Sequence, residues 1–487
     1  MSLKKYFSLF MFLLVAHAGF GAGHKIKFDI KDLNDSVVYI ARYFGDNKYI
    51  KDTILVDGKS KFTYEGEEEL PCGIYLLVRE KRNTYFEFLV NNQDFSIISD
   101  TSDFINKTRF ENSPDNEKLY EYFQFAGKLS KKADQLRKDK ELASTEKNDE
   151  KIKKISDELA AIGKQMTDYK EDFLSQFPNN AMSVVFKLQK DPVFPDEILN
   201  DTSSLAERRK YDYYISHYWD NTPFESSCIL RTPVFHHKLQ QFFDKYIPQH
   251  YDSAIVYIDD LIAKTRVNDE LFKYVVNYVS FKWESGKEKR MCWDKVFHHM
   301  AINYYMKGQC PWTDSVQLAK IESRANDLTY VLCGDQAVNL HMKKYYPMPG
   351  LYDTTGFMHE LYKVPADLVI MWFWDSDCGH CKKQTPVLWE TYNKYKAEGK
   401  SIEVYAINVE QESEGYKKYL RENNYTWINV QDTGNFSQFR KYYDIYSTPV
   451  SYILDKNRKL IGKRLDPTGV DNFLKQYYKE EEEVSNK

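Results

Sequence analysis

Polar and apolar residues alternate with a period of two from His24 to about Asn112, most clearly in Lys25-Ile26-Lys27-Phe28-Asp29-Ile30. Further β-branched or aromatic runs cover 37–41, 61–64, 74–78 and 85–90, with turns such as Val56-Asp57-Gly58-Lys59 between them. This pattern predicts a small antiparallel β domain of sandwich type over 24–112. At Ser113 the period changes. Leu119, Tyr122, Ala126, Leu129, Ala133 and Leu136 recur at steps of three and four, as do Ile152, Ile155, Leu159, Ile162, Met166, Tyr169 and Phe173. Two helices with heptad seams, joined by a charged turn near 143–149, are expected to fold back as an antiparallel coiled-coil hairpin, a spacer rather than a docking arm. Pro178 ends the second helix. Helical spacing continues, which predicts an α-helical domain over 113–335. A third pattern fills 336–479. Leu368–Trp374 is a continuous apolar run, as in a strand buried on both faces. Helices follow at 378–396, 414–422 and 467–478, and strands at 402–408, 427–430, 450–454 and 459–464.

Composition narrows the function classes. Gly numbers 20 and Pro 15 in 487 residues, too few for a chain made wholly of tight turns, which excludes an all-β propeller or barrel. A formal net charge of -4 excludes a strongly basic nucleic-acid binder, so no nucleic-acid partner is expected. Residues 1–22 read as a secretory signal peptide: Lys4 and Lys5, an apolar run from Tyr6, then small residues at Ala16 and Ala18. No Cys follows to carry a lipid, and no later window reaches the roughly 20 apolar residues of a spanning helix. The expectation is an exported chain of the periplasm or cell envelope that does not span the membrane once the signal is cleaved.

Seven Cys are too few for a disulfide scaffold. Cys72 reads as a lone loop thiol. With Cys228, Cys292, Cys310 and Cys333 it makes five that cannot all pair, and buried thiols are expected. His236-His237 and His298-His299 are adjacent pairs, whose rings diverge on a helix, so satisfied histidines are expected in place of a metal site. The run Glu480–Glu483 marks 480–487 as a solvated, disordered acidic tail.

The chemistry lies at Cys378-Gly379-His380-Cys381. Strand, helix, strand, helix, β-hairpin and helix is the thioredoxin order. A structural disulfide and half a zinc site are the competing readings, but a structural disulfide rarely sits between a buried strand and a helix start with a downstream Thr-Pro, and no second zinc-ligand pair has the required form. The string Phe373, Trp374, Cys378, Cys381, Lys382, Lys383 resembles TlpA/ResA/DsbE-type envelope thioredoxins. The whole chain resembles a long form of that family, with an N-terminal β domain and a helical middle domain of unknown function. His217-Tyr218-Trp219-Asp220-Asn221 and Arg231-Thr232-Pro233-Val234-Phe235 are similar to that middle domain.

The resemblance implies a thiol:disulfide oxidoreductase whose only redox group is the Cys378–Cys381 disulfide, with no cofactor and no metal. Its partners would be disulfide-bearing proteins and a membrane electron donor of the thiol-relay type. Cytochrome complex assembly is a family association. A thiol at a helix N-terminus faces unpaired N–H groups, which favours Cys378 as the attacking thiolate; Cys381, one turn inward, would resolve the mixed disulfide. Thr448-Pro449 matches the family's cis-proline position and would face the substrate. Gly379, His380, Asp377 and Trp374 would tune the site. Gly-His between the cysteines is similar to the disulfide isomerases. Asp377 stands where the family usually has Trp, Trp372 where thioredoxin has a buried acid, and Gln384 where ResA-like proteins have Glu. Proton handling would fall to Asp375, Asp377 or His380. A disulfide oxidase or isomerase, or an envelope binding protein with an ancillary thioredoxin module, are the alternatives.

Overall fold

The computed structural model describes residues 23–81, 85–284, 290–345, 358–410, 414–432 and 434–485. Residues 1–22, expected to be a signal peptide, lie outside them. The chain forms two compact units: residues up to Ile247 with Lys264–Leu271, and Pro248–Ala263 with Phe272–Lys487.

The first unit opens with a β sandwich. One sheet has the order β4-β1-β7-β8, from β1 (His24–Lys31), β4 (Lys61–Gly66), β7 (Asp94–Asp100) and β8 (Arg109–Glu111). The other has the order β3-β2-β5-β6, from β2 (Val37–Phe44), β3 (Asn47–Leu55), β5 (Gly73–Arg79) and β6 (Tyr85–Val90). The alternation in β1 does what its period requires: Ile26, Phe28 and Ile30 are buried while Lys25 and Lys27 are exposed. One pairing departs from the antiparallel expectation, since β1 and β7 run parallel. Helices α1 (Pro114–Thr145) and α2 (Asp149–Gln176) pack on each other as a hairpin, with Asn148 capping α2. Every seam position named above is buried or half-buried. The base of the hairpin joins the sandwich core through Leu119, Tyr120 and Phe173. Asn116 also seals the edge of β6. Its side chain bonds both the N–H and the carbonyl of Leu89 at 2.7 Å, which blunts an edge that could otherwise pair with another chain.

Shorter helices complete this unit: α3 (Ala181–Leu188), α4 (Asp196–Leu199), α5 (Ala206–His217) and α6 (Pro233–Gln241). Trp219 is buried among Phe224, Phe235 and Phe242, and the nearly buried Arg231 forms a two-pronged ion pair with Glu270 at 2.7 and 2.8 Å. Cys72 is not a lone thiol. It is bonded to Cys228, with Cα atoms 4.7 Å apart. Gly73 permits the approach, since a Cβ there would overlap the Arg231 side chain.

In the second unit, α7 (Tyr251–Thr265), α8 (Asp269–Lys282), α9 (Asp294–Met300) and α10 (Ser315–Leu328) precede a seven-stranded sheet. Its order is β10-β9-β13-β12-β11-β14-β15, from β9 (His341–Tyr345), β10 (Met358–Glu360), β11 (Leu368–Trp374), β12 (Ile402–Asn408), β13 (Ile428–Gln431), β14 (Val450–Leu454) and β15 (Leu460–Lys463). β11, β12 and β13 are mutually parallel, and β14 and β15 return antiparallel. Helices α11 (Gly379–Ala397), α12 (Glu414–Asn423), α13 (Phe439–Tyr442) and α14 (Pro467–Ser485) accompany it.

All seven residues of β11 are buried, as a strand covered on both faces requires. Cys292 and Cys333, expected as thiols, are bonded to each other with Cα atoms 5.6 Å apart; Cys310 is buried and belongs to neither disulfide. His299 and Tyr304 both bond the Asp259 carboxylate, at 2.9 and 2.7 Å, so this histidine is satisfied. The acidic tail is helical, not disordered, as far as Ser485. α14 runs through it to Ser485, carried by Gln476–Glu480 and Lys479–Glu483 contacts at i, i+4.

Candidate active site

Two elements place the dithiol. β11 ends at Trp374, and the short turn 375–378 delivers the chain to the start of α11. Asp375 Oδ1 accepts the Asp377 N–H at 2.8 Å, which shapes the turn. Cys378 is the N-cap residue of α11, in extended conformation, and its sulfur accepts the Cys381 N–H at 3.5 Å. Sulfur thus takes the place that an Asp or Ser oxygen takes at an ordinary N-cap. Cys378 is partly exposed and Cys381 is fully buried; both are thiols.

Facing them is the loop before β14. The Thr448–Pro449 peptide is cis, and the Thr448 carbonyl accepts the Cys378 thiol at 3.6 Å. Because β14 pairs antiparallel with β11, Val450 lies beside Phe373, which brings the two ends together.

The two thiols are driven apart in acidity. Partial burial works against the Cys378 thiolate. Hydrogen bonds from the Cys381 N–H and thiol, the Thr448 side chain and the His380 N–H outweigh it and hold its pKa below the ordinary value. Burial pushes Cys381 the other way, up to about 11. The arrangement is that of one poised nucleophile with a masked thiol one turn below it.

The sites named from sequence fall in different places. His380 is exposed, and it is its backbone N–H that serves Cys378. Gly379 is exposed, and a Cβ there would meet nothing within 4 Å, so space does not demand glycine. Asp377 is exposed, 3.8 Å from Lys382. Trp374 is fully buried, with its ring 5.7 Å from Tyr416 and 5.6 Å from Tyr419, and supports the site from beneath. Trp372 is also buried. Its Nε1 donates to Thr385 Oγ1 at 3.1 Å, which leaves no titratable group at that position. Thr385 was not singled out, although it lies one turn beyond Cys381 on the same inward face of α11. Asp375 reaches Cys381 through its backbone.

Among the described residues no helix is long and apolar enough to cross a membrane. Residues 366–460 match the thioredoxin-like family, while 24–119 and 142–330 match two domain families of unknown function. A thiol-disulfide oxidoreductase ResA of Bacillus thuringiensis is 28% identical over 109 residues, 22% of this chain and 61% of that protein. The chain thus spans about three fifths of the length of the first curated relatives it matches. A solved domain of a possible thiol-disulfide isomerase from Cytophaga hutchinsonii is 40% identical, covers 33% of this chain and 99% of its own, and has a TM-score of 0.28. A thioredoxin-like protein from Bacteroides caccae is 18% identical, covers 58% and 97%, and has a TM-score of 0.42. Residues 366–460 thus form a thioredoxin-like domain, similar over this part of the chain to ResA thiol-disulfide oxidoreductases, at the C-terminal side of additional β and helical domains.

Proposed function

We propose that this chain is an exported thiol:disulfide oxidoreductase that reduces disulfides of cell-envelope proteins. The observation that carries the reading is the opposed acidity of Cys378 and Cys381 at a helix start facing a cis-proline loop. The Cys378 thiolate attacks one sulfur of a substrate disulfide; that S–S bond breaks, and the departing substrate sulfur leaves as a thiolate that takes up a proton. Cys381 then loses its proton and attacks the Cys378 sulfur, which releases the second substrate thiol. Two electrons pass to the substrate, and the protein is left as the Cys378–Cys381 disulfide. A membrane thiol donor would recharge it. Thr448 and Pro449 present backbone to the substrate chain, as strand-addition recognition requires.

Direction is the second question. A lowered Cys378 pKa stabilises the reduced form and moves the potential towards oxidation, which favours an oxidase or isomerase as the alternative. A dithiol potential near about -270 mV supports the reductase, and one near about -120 mV the oxidase. The test of the site is trapping: Cys381→Ala should accumulate mixed disulfides through Cys378, and adducts that persist in Cys378→Ala would sink the assignment.

A further inference from the structure

Seven residues, Tyr443–Pro449, connect α13 to β14, and the last six, Asp444–Pro449, end at the bond that faces the thiols. Their anchor is Asp444, whose carboxylate is fully buried and whose φ is +50°. Oδ2 accepts from Arg324 Nη1 at 2.9 Å and from Arg464 Nη2, and the Asp444 carbonyl accepts from Arg464 Nη2 at 2.8 Å. Arg324 belongs to α10, 120 residues earlier, and its Nε is held by Glu284 at 2.7 Å. Three residues and about one turn further on the same side, Asp327 meets the Tyr446 hydroxyl. Just beyond α10, the Tyr330 ring meets Tyr442 edge-on at 5.0 Å. The helix before the thioredoxin fold therefore holds this loop at its first residue, Asp444, and at its third, Tyr446.

We propose that α10 is a positioning element for polypeptide substrates: Arg324, acting through Asp444, fixes the backbone of the 444–449 loop in the geometry that an extended disulfide-bearing chain must pair with. This rests on the redox reading above. A buried carboxylate between two guanidiniums resists displacement, because movement would strand an uncompensated charge. A loop so held loses little freedom when a peptide adds to it, and that saving is felt as affinity. A small disulfide needs only the thiol and gains nothing from the loop. Arg324 and Asp327 are positioning residues, since neither touches the thiols.

The test uses the full chain, reduced beforehand, in single-turnover reactions with two probes: insulin, a polypeptide disulfide, and 5,5′-dithiobis(2-nitrobenzoic acid), a small one. Arg324→Gln should raise the half-saturating insulin concentration by about twofold to thirtyfold, the span of coupling through a contiguous network, with the maximal rate and the small-probe rate unchanged. Arg324→Lys keeps the charge but cannot reach both carboxylates, and should fall between. An unchanged insulin dependence, or an equal loss towards both probes, overturns the inference. Should Arg324→Gln fail to fold, Tyr446→Phe removes only a hydroxyl from an exposed ring. It should shift insulin alone in the same direction, and no shift overturns the inference. A wild-type chain inert towards both probes overturns the redox reading and this inference with it.

Discussion

Alkylation of the reduced protein at pH 8 should mark Cys378 and spare Cys381. Burial raises Cys381 to about 11, so about one part in a thousand is thiolate at pH 8. Hydrogen bonds hold Cys378 to the acid side of its ordinary value, and even an ordinary thiol with a pKa of about 8.5 is about one quarter thiolate at pH 8. That reference population exceeds the Cys381 thiolate by about 240-fold. The more basic thiolate is intrinsically the better nucleophile, which at a Brønsted slope of about 0.45 returns roughly thirteenfold over the 2.5 pKa units or so between that reference thiol and Cys381. A net preference on the order of tenfold remains, before the complete burial of Cys381 adds to it. The assay is timed reaction with iodoacetamide, with fragment-ion mass spectrometry to assign the label. The preference should narrow as pH rises from 9 towards 11, because the Cys378 thiolate nears its ceiling while the Cys381 thiolate rises about fiftyfold, to about one half. Equal labelling at pH 8, or Cys381 reacting first, would refute the assigned order of the two thiols.

Two further outcomes follow from the scaffold. Replacing Cys72 and Cys228 by Ala should lower stability by up to about 5 kcal/mol on a loop-entropy estimate, since the bond closes a sequence separation of 156; Cys292 and Cys333, 41 apart, should give about 4 kcal/mol. Denaturant midpoints measured without reductant check both, and values unmoved by either double substitution would count against the bonds. Lys238 is buried against Tyr218 and donates to the Leu188 carbonyl at 3.1 Å, and burial pulls its pKa down to about 8. Between pH 8 and about 10.5 the unfolded chain therefore holds more protons than the folded one, so this group makes stability rise with pH, by about 3 kcal/mol in all. The wild-type curve minus that of Lys238→Met should show this rise, and a flat difference would exclude it.

Much of the C-terminal domain was legible along the chain because its signals are local. A seven-residue apolar strand, capping residues after it and a cysteine at the helix start are each contained in one short window, and β11, β12 and β14 fall where those windows put them. The heptad seams of α1 and α2 were legible for the same reason, since a helix repeats its own geometry. The acidic end was misjudged by counting like charges: Gln476 and Lys479, four residues before two of the glutamates, support the helix. The parallel β1–β7 pair was hidden because either direction of pairing buries the same alternate residues.

What stayed illegible shares one cause, distance along the chain. Five cysteines outside the redox pair allow many pairings, and nothing in composition selects Cys72 with Cys228 across 156 residues. Nothing local marks Asp444 or Arg324; the fold buries the Asp444 carboxylate fully and sets it between the half-buried Arg324, itself held by Glu284, and Arg464. Local order thus settled where the dithiol lies and which thiol begins the helix. Tertiary packing settled how deeply the second thiol is buried, what faces the first, and which distant helix grips the loop between them, because desolvation and charge pairing depend on neighbours in space and not on neighbours in sequence.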